Sequence, residues 1–155
     1  PEPLAGASNN GMSNYFPRYS PDGKWIVFTQ SPNGLAIQPQ SKLVIIPAEG
    51  GDTRVLRCNM EIMNSWHSWS PNSRWLVFSS KSNTPFTELF LTHIDEHGYD
   101  SPPVLLSRFS SPSRACLAPE LVNLRPESIR TIAIAGDPSS WAELSGPKSS
   151  DNNAR

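Results

Sequence analysis

The chain has 155 residues, which is enough for one domain of ordinary size. Its formal net charge is −1 and charged residues make up 17% of it, so no overall field would draw it to nucleic acid or to an anionic membrane. No apolar run of about 18 residues occurs, so the sequence predicts no membrane span.

Three further features of the sequence bear on the class of protein. Sixteen prolines against nine glycines predict short elements and frequent turns, because proline is excluded from helix interiors and central strands. The segment Pro1–Pro3 has neither the basic nor the apolar region of a signal peptide. Cys58 and Cys116 leave the redox compartment open: they could pair, although two free buried thiols are the simpler interpretation.

The first predicted unit covers residues 13–58 and follows a small, polar segment at 1–12 that is a linker or the end of a preceding unit. Alternating residue types at 15–19 predict a short strand. The turn Ser20-Pro21-Asp22-Gly23 follows, because proline presets φ at the first central position and glycine accepts a positive φ. Residues 25–29 are β-branched and aromatic, a pattern typical of a strand covered on both faces.

The second half of this unit completes a sheet. Residues 31–41 contain two prolines and a glycine, which predicts a long hairpin loop. Residues 43–46 are apolar on both faces and predict a third strand. A Gly-Gly turn at 49–52 leads into a short, more polar edge strand at 53–56. The unit is therefore predicted to be four short antiparallel strands.

The second unit, predicted over 59–106, repeats the first. Residues 64–78 match 14–28 at an offset of 50 in every position, without a gap. Residues 89–94 correspond to the third strand at an offset of 46, so the hairpin loop is four residues shorter, and 104–106 form the fourth strand. A repeat of this period predicts an array of similar units, none of which buries its apolar face alone.

After residue 106 the repeat stops. Residues 107–135 are predicted to form an irregular closing segment, with a short helix around Arg114–Leu117 and a final strand over 129–134. Ser, Pro, Asn and Asp dominate 136–155 and leave little to bury, which predicts a disordered tail.

The repeated phrase carries a resemblance to a known family. Tyr19–Phe28 resembles the W-S-P-D-G-K-x-I-A-F signature of WD40-like (PD40) β-propeller repeats, and Leu43–Gly51 resembles the second half of that repeat. Such repeats are known from the TolB family of periplasmic proteins and from the propeller domains of prolyl-oligopeptidase-type peptidases. The resemblance covers about residues 13–106, and 64–106 also resembles the C-terminal end of TolB-like proteins. The second copy departs at Asn72-Ser73, where Asp-Gly is usual; because serine tolerates positive φ poorly, we expect a different turn type there.

The resemblance implies an all-β fold of two four-stranded antiparallel β-propeller blades, a partial propeller, with an irregular C-terminal tail. Complete propellers have about four to eight blades. We therefore expect this chain to be a C-terminal fragment of a longer propeller. Two isolated blades would expose an apolar face at each end, so we also expect self-association through these faces or marginal stability.

Few residues are candidates for chemistry. His93 and His97 flank Asp95 with His-x-x-x-His spacing, which puts two metal ligands on one face of a helix. Here the segment is a strand end entering a turn, so surface turn residues are the preferred interpretation. His67 lies among tryptophans and could line the propeller channel and bind a ligand, but a packed histidine that hydrogen-bonds a backbone group is the preferred interpretation.

The aromatic residues point first to a core. Trp25 and Trp75 occupy matched positions, as do Phe16 and Trp66, and matched aromatic residues in a repeat are core positions first. Without accompanying basic residues they do not predict nucleic-acid stacking. Gly6–Gly11 has the wrong spacing for a nucleophile elbow. The sequence thus predicts no catalytic, cofactor-binding or metal-ligating residue, and no enzyme.

Three functions remain open at this point. The first is a non-catalytic TolB-like module that serves as a protein-interaction scaffold and binds through the loops 31–41 and 80–87; the resemblance implies a periplasmic or secreted setting in the cell envelope. The second is the propeller part of a prolyl-oligopeptidase-type serine peptidase, which needs an α/β-hydrolase domain that the residues after Leu106 do not supply. The third is a glycan-binding, lectin-like propeller.

Overall fold

The computed structural model describes residues 2–34 and 38–131, and the chain divides into two units after Asn123. In the second unit, the described residues contain a 3₁₀ turn at Pro126–Ser128. In the described part of the first unit there are eight strands: β1 Ser13–Tyr19, β2 Trp25–Ser31, β3 Lys42–Pro47, β4 Arg54–Val55, β5 Asn64–Trp69, β6 Trp75–Ser80, β7 Glu88–His93 and β8 Val104–Leu105. None of the described helical turns has the length and apolarity required to span a membrane.

The strands form two antiparallel sheets with the same topology. The first sheet has the order β1-β2-β3-β4 and the second has the order β5-β6-β7-β8, so every strand pairs with its neighbour in the chain. The predicted all-β fold class, with two four-stranded antiparallel sheets, is confirmed.

The sheets stack front to back, as consecutive units of a repeat do. Val27 and Ile45 of the first sheet pack in one core with Leu76 and Phe78 of the second. Leu76 and Phe78 are the counterparts of Ile26 and Phe28, which lie on the opposite face of the first sheet. Strands β2 and β3 are therefore buried on both faces, as their composition predicts.

The outer face of the first sheet is covered by the N-terminal segment. Ile26, Phe28, Val44 and Ile46 are at most 5% exposed, and Leu4 and Ala7 pack against them. The backbone N–H of Gly51 donates to Ala5 O at 3.0 Å, and Asn14 Nδ2 donates to Ala7 O at 2.6 Å, so the segment is anchored to both sides of the sheet. The expectation that this apolar face is open is therefore wrong.

The chain after β8 returns along the second sheet. A 3₁₀ turn at Ser107–Phe109 is followed by the Cys116 N–H, which donates to Thr87 O at 2.8 Å, and by the Leu121 N–H, which donates to Ser68 Oγ at 3.0 Å. Because these backbone groups bond to the sheet, the helix predicted around Arg114–Leu117 does not form.

Two predictions for the C-terminal region fall partly or wholly outside the described residues. The final strand predicted over 129–134 is not present at 129–131, and the rest of it lies outside the described residues. The tail predicted as disordered, 136–155, lies wholly outside them.

The turn between the first two strands is the same in both sheets. The backbone N–H of Trp25 donates to Ser20 Oγ at 3.0 Å, and the backbone N–H of Trp75 donates to Ser70 Oγ at 2.9 Å. Gly23 has φ 75° and Ser73, its counterpart, has φ 60°, so the prediction of a different turn type at Ser73 is wrong.

A contact between the sheets gives Ser73 a role that glycine could not have. Its Oγ accepts a hydrogen bond from the backbone N–H of Asp22 at 2.9 Å, which joins the second turn to the first. A left-handed φ costs a non-glycine residue about 1–2 kcal/mol, and a hydrogen bond offsets about 1 kcal/mol. The contact thus compensates for much of the strain.

We predict that Ser73→Ala lowers the free energy of unfolding by about 1 kcal/mol, because it removes the hydrogen bond and keeps the strain. Ser73→Gly loses the same bond but relieves the strain, so it should stay within about 0.5 kcal/mol of the wild type. Urea denaturation measures both. Equal losses for the two variants would contradict the strain at Ser73.

We predict that Gly6→Ala detaches the N-terminal segment. A Cβ at Gly6 would lie 1.7 Å from Gly51 O, whereas a Cβ at Gly11 meets nothing within 4 Å, although both glycines have positive φ. Gly6→Ala should therefore expose the outer face, bind a hydrophobic dye and associate in sedimentation velocity. Gly11→Ala is the matched control, which pays the conformational penalty alone; association of both variants alike would refute the covering role.

Candidate functional site

A small cavity lies where β1, β5 and the segment 118–120 meet. Its volume is about 100 Å³, and it is lined by Phe16, Arg18, Trp66, His67 and Ala118–Glu120. Of these residues His67 alone is buried, so it forms the floor, while Phe16, Arg18 and Glu120 belong to the exposed rim. We call this feature the His67 cavity.

Matched bulges bring two aromatic rings together at the rim. The pairing of β1 with β2 shifts register between Tyr15 and Arg18, and the pairing of β5 with β6 shifts at the equivalent place. At each bulge one residue takes a positive φ, 55° at Phe16 and 42° at Trp66. Their rings stack with centroids 6.1 Å apart and planes 28° apart.

The core interpretation of the matched aromatic residues is correct for one residue of the four. Trp25 packs against the core between the sheets. Trp75, in the equivalent position of the second sheet, is 41% exposed and meets His93 edge to face at 5.0 Å. Phe16 is also 41% exposed, and Trp66 is half-buried, because the bulges turn both side chains toward the rim.

His67 connects the floor of the cavity to the first sheet. Its Nε2 lies 2.9 Å from Val27 O, which makes Nε2 the protonated nitrogen, as the preferred interpretation of a packed histidine requires. Its Nδ1 is buried and has no hydrogen-bond partner in the part of the chain that the structure describes. Burial, with a smaller contribution from the charge of Arg18, lowers the pKa of His67 to about 4, although the hydrogen bond to Val27 O acts in the opposite direction. At neutral pH the ring is therefore neutral, with an acceptor at Nδ1.

An ion pair stands at the mouth of the cavity. Arg18 Nη2 lies 3.4 Å from Glu120 Oε2, and each side chain is about half exposed. Such a pair contributes little to stability. Its effect on the site is that the two charges compensate each other.

The residues of the His-x-x-x-His pattern have separate surroundings. His93 ends β7 and packs against Trp75, while His97 is exposed beside Glu96. Asp95 accepts hydrogen bonds from the backbone N–H groups of His97 at 2.9 Å and Tyr99 at 2.8 Å. Desolvation opposes ionisation of Asp95, but these N–H groups outweigh it and lower its pKa. Within the described ranges no three metal-ligating side chains converge.

Both cysteines are free thiols. Cys58 lies in the core between the sheets, where burial raises its pKa and the carboxylate of Asp100 adds to the effect. Cys116 is half-buried on the returning segment and donates from Sγ to Phe109 O at 3.0 Å.

The structure describes part of the first loop predicted to bind a partner, 31–41, and all of the second, 80–87. Residues 35–37 of the first loop lie outside the described residues. The second loop is tied to the connection between the sheets: Lys81 N–H donates to Ile62 O at 3.2 Å, and Ile62 N–H donates to Ser82 Oγ at 2.8 Å.

A second exposed feature lies at the outer edge of the second sheet. Val104, Leu105 and Phe109 are exposed by 63%, 37% and 68% of their surface. Leu105–Phe109 line a shallow cavity of about 270 Å³. We call these three residues the β8 edge. Their exposure could not be predicted from the sequence, because an apolar strand of two residues has the same sequence pattern whether it is covered or exposed.

The chain resembles solved structures but not the families or curated proteins with which it was compared. No protein-family model and no curated protein matches the chain. A protein assigned as TolB from Agrobacterium tumefaciens superposes with a TM-score of 0.42 at 18% identity. The match covers 70% of this chain and 50% of that chain, so the present chain spans about half the length of that protein.

We predict that His67 makes the chain less stable in mild acid. The folded pKa of about 4 lies below the usual 6.5, so the unfolded state takes up the proton first as the pH falls. The free energy of unfolding should therefore be highest above pH 6.5 and decrease by about 3 kcal/mol toward pH 4.

His67→Gln keeps an amide donor for Val27 O and does not titrate, so urea denaturation across this range should show a flatter profile for it. The matched control is His97→Gln, at an exposed histidine, which should keep the wild-type slope. A slope that is lost with His97→Gln and kept with His67→Gln would contradict the assignment.

Proposed function

We propose that the chain is a non-catalytic, TolB-like propeller-repeat module that acts as a protein-interaction scaffold in the cell envelope and binds its partner through the β8 edge. The observation that carries this proposal is the exposure of Val104, Leu105 and Phe109 on one short strand and the turn after it. Exposed clusters of large apolar side chains are typical of protein-binding surfaces.

The ionisable groups of the described residues support binding over catalysis. A general acid or base is most effective with a pKa near the working pH. The pKa of His67 lies far below neutrality and that of the Cys58 thiol is raised, so neither is poised for proton transfer or nucleophilic attack. Asp22, whose pKa is lowered by the hydroxyl of Ser20, serves as a turn acceptor.

The β8 edge favours contact through side chains. A strand of two residues offers few backbone groups to an added strand, and short edge strands discourage such pairing. A partner would therefore cover Leu105 and Phe109 with apolar side chains of its own, as in the core of an ordinary interface. The envelope setting is supported by the repeat signature of Tyr19–Phe28.

We predict that a photoreactive residue at position 109 crosslinks to one discrete protein in extracts of the source organism, and that Leu105→Ser weakens the capture about fivefold or more, because it removes an apolar contact from the interface. A photoreactive residue at Lys24, in the turn of the first sheet, is the control. Equal capture from both positions would contradict binding at the β8 edge, and crosslinks between copies of this chain alone would replace the partner by self-association.

A further inference from the structure

We propose that the protein segment bound at the β8 edge carries acidic as well as apolar side chains, and that Arg108 and Arg114 bind its carboxylate groups. This inference rests on the proposed function and deepens it, because it names the chemistry of the partner at the same surface.

Two arginines line one cavity beside the β8 edge. Arg108 is the middle residue of the 3₁₀ turn Ser107–Phe109, and Arg114 forms a β-bridge with Ser111 across a short turn. Both arginines are exposed and line a cavity of about 270 Å³, which we call the arginine cavity. Arg108 and Phe109 also line the shallow cavity at the β8 edge, so the two cavities adjoin. A single partner segment can therefore contact both.

The stretch of chain around the arginine cavity is positively charged. Residues 101–119 contain two arginines and no aspartate or glutamate, although the whole chain has a formal net charge of −1. The ion pairs within residues 2–34 and 38–131 involve other basic side chains, namely Arg18, Arg54 and His97. A guanidinium group can bind a carboxylate through two parallel hydrogen bonds. A carboxylate is therefore the group that complements this surface.

The first sheet shows how arginines near a fourth strand are used in this chain. Arg54 of β4 lies 4.0 Å from Asp100 Oδ1, and Arg57, just after β4, donates to Asp100 O at 3.1 Å. Asp100 comes from the connection between β7 and β8 and is 3% exposed. The arginines of the first sheet thus contact an acidic residue that the second sheet supplies. We expect a partner to supply the acidic residue for Arg108 and Arg114.

The walls of the arginine cavity are held in place by hydrogen bonds. Ser110 Oγ accepts from Leu89 N–H at 3.0 Å, and Cys116 N–H donates to Thr87 O at 2.8 Å. The Cys116 thiol donates to Phe109 O at 3.0 Å and joins the two sides. A site that is already formed avoids part of the ordering cost of binding. The cavity has room for about nine water-sized groups of about 30 Å³ each, which accommodates an aspartate or glutamate side chain.

An anionic membrane surface fits these observations less well. Basic and apolar groups also occur together on membrane-binding surfaces. Such surfaces carry clusters of about four to eight basic residues, whereas residues 101–119 contain two. The net charge of the chain is also weakly negative, so it adds no attraction to anionic lipids. A protein segment with carboxylate side chains is therefore favoured.

The test measures binding of three short, fluorescently labelled peptides to the full chain by fluorescence anisotropy. Leucine alternates with glutamate in the first peptide, with glutamine in the second and with lysine in the third. We expect saturable binding of the glutamate peptide, binding of the glutamine peptide about fivefold weaker, and the weakest binding for the lysine peptide. An increase from about 50 mM to about 500 mM NaCl should remove most of the difference between the first two, because salt screens exposed charges.

Arg108→Gln combined with Arg114→Gln should weaken binding of the glutamate peptide about fivefold and leave the glutamine peptide unchanged, because it removes only the charge contacts. Lys24→Gln combined with Arg74→Gln is the matched control, since it removes two positive charges from exposed turns elsewhere. Arg108→Glu combined with Arg114→Glu should reverse the preference in favour of the lysine peptide. Leu105→Ser should weaken the glutamate and glutamine peptides alike.

Equal binding of the glutamate and glutamine peptides, an unchanged preference in the Arg108→Gln, Arg114→Gln variant, or no saturable binding of any peptide would overturn the proposal. Binding to vesicles of equal parts phosphatidylcholine and phosphatidylglycerol, without binding of the glutamate peptide, would assign the surface to a membrane and overturn it as well. The proposed function fails separately, if position 109 captures no partner. Capture at position 109 that keeps its full strength in the Arg108→Gln, Arg114→Gln variant contradicts only the acidic partner.

Discussion

The packing of one sheet on the back of the next is the interaction on which the rest of the structure depends. Val27 and Ile45 cannot be buried within their own sheet; they need Leu76 and Phe78 from the second. The same stacking lets His67 reach Val27 O, lets Ser73 accept from Asp22, and brings Trp69 Nε1 to 3.2 Å from Arg18 O. Each of these polar contacts joins elements about 40 to 51 residues apart and exists because the apolar faces are already together.

Because each sheet has two apolar faces, front-to-back stacking leaves one apolar face without a neighbouring sheet at each end of the pair. At the first sheet the segment around Leu4–Ala7 takes the place that a neighbouring sheet would occupy, and Gly6 allows its backbone to lie against Gly51. At the second sheet, Cys116 and Leu121 bond to it through their backbone N–H groups. The N-terminal segment thus provides, at the first sheet, part of the burial that larger arrays obtain from further repeats.

The His67 cavity is a product of the repeat. Because both copies carry a bulge at the same strand position, stacking the sheets brings Phe16 and Trp66 face to face. The differences between the copies then supply the polar groups: His67 stands where the first copy has Pro17, and the returning segment adds Glu120 opposite Arg18. A symmetric scaffold therefore holds an asymmetric site, with an acceptor at the floor and a compensated ion pair at the rim.

Sequence alone determined the strands of the two sheets and their order. The ungapped match of 64–78 to 14–28 and the apolar runs at Trp25 and Leu43 are local patterns, and each predicted strand of both sheets is present. Tertiary structure decided what depends on contacts between distant residues: the hydrogen bond from Asp22 to Ser73, the stacking of Trp66 on Phe16, and the extended path through Cys116. His67 was visible in the sequence as a candidate, but its role needed the neighbouring sheet. Burial and hydrogen-bond partners depend on the neighbouring sheet, whereas the residue pattern of a strand indicates only how apolar its own two faces are.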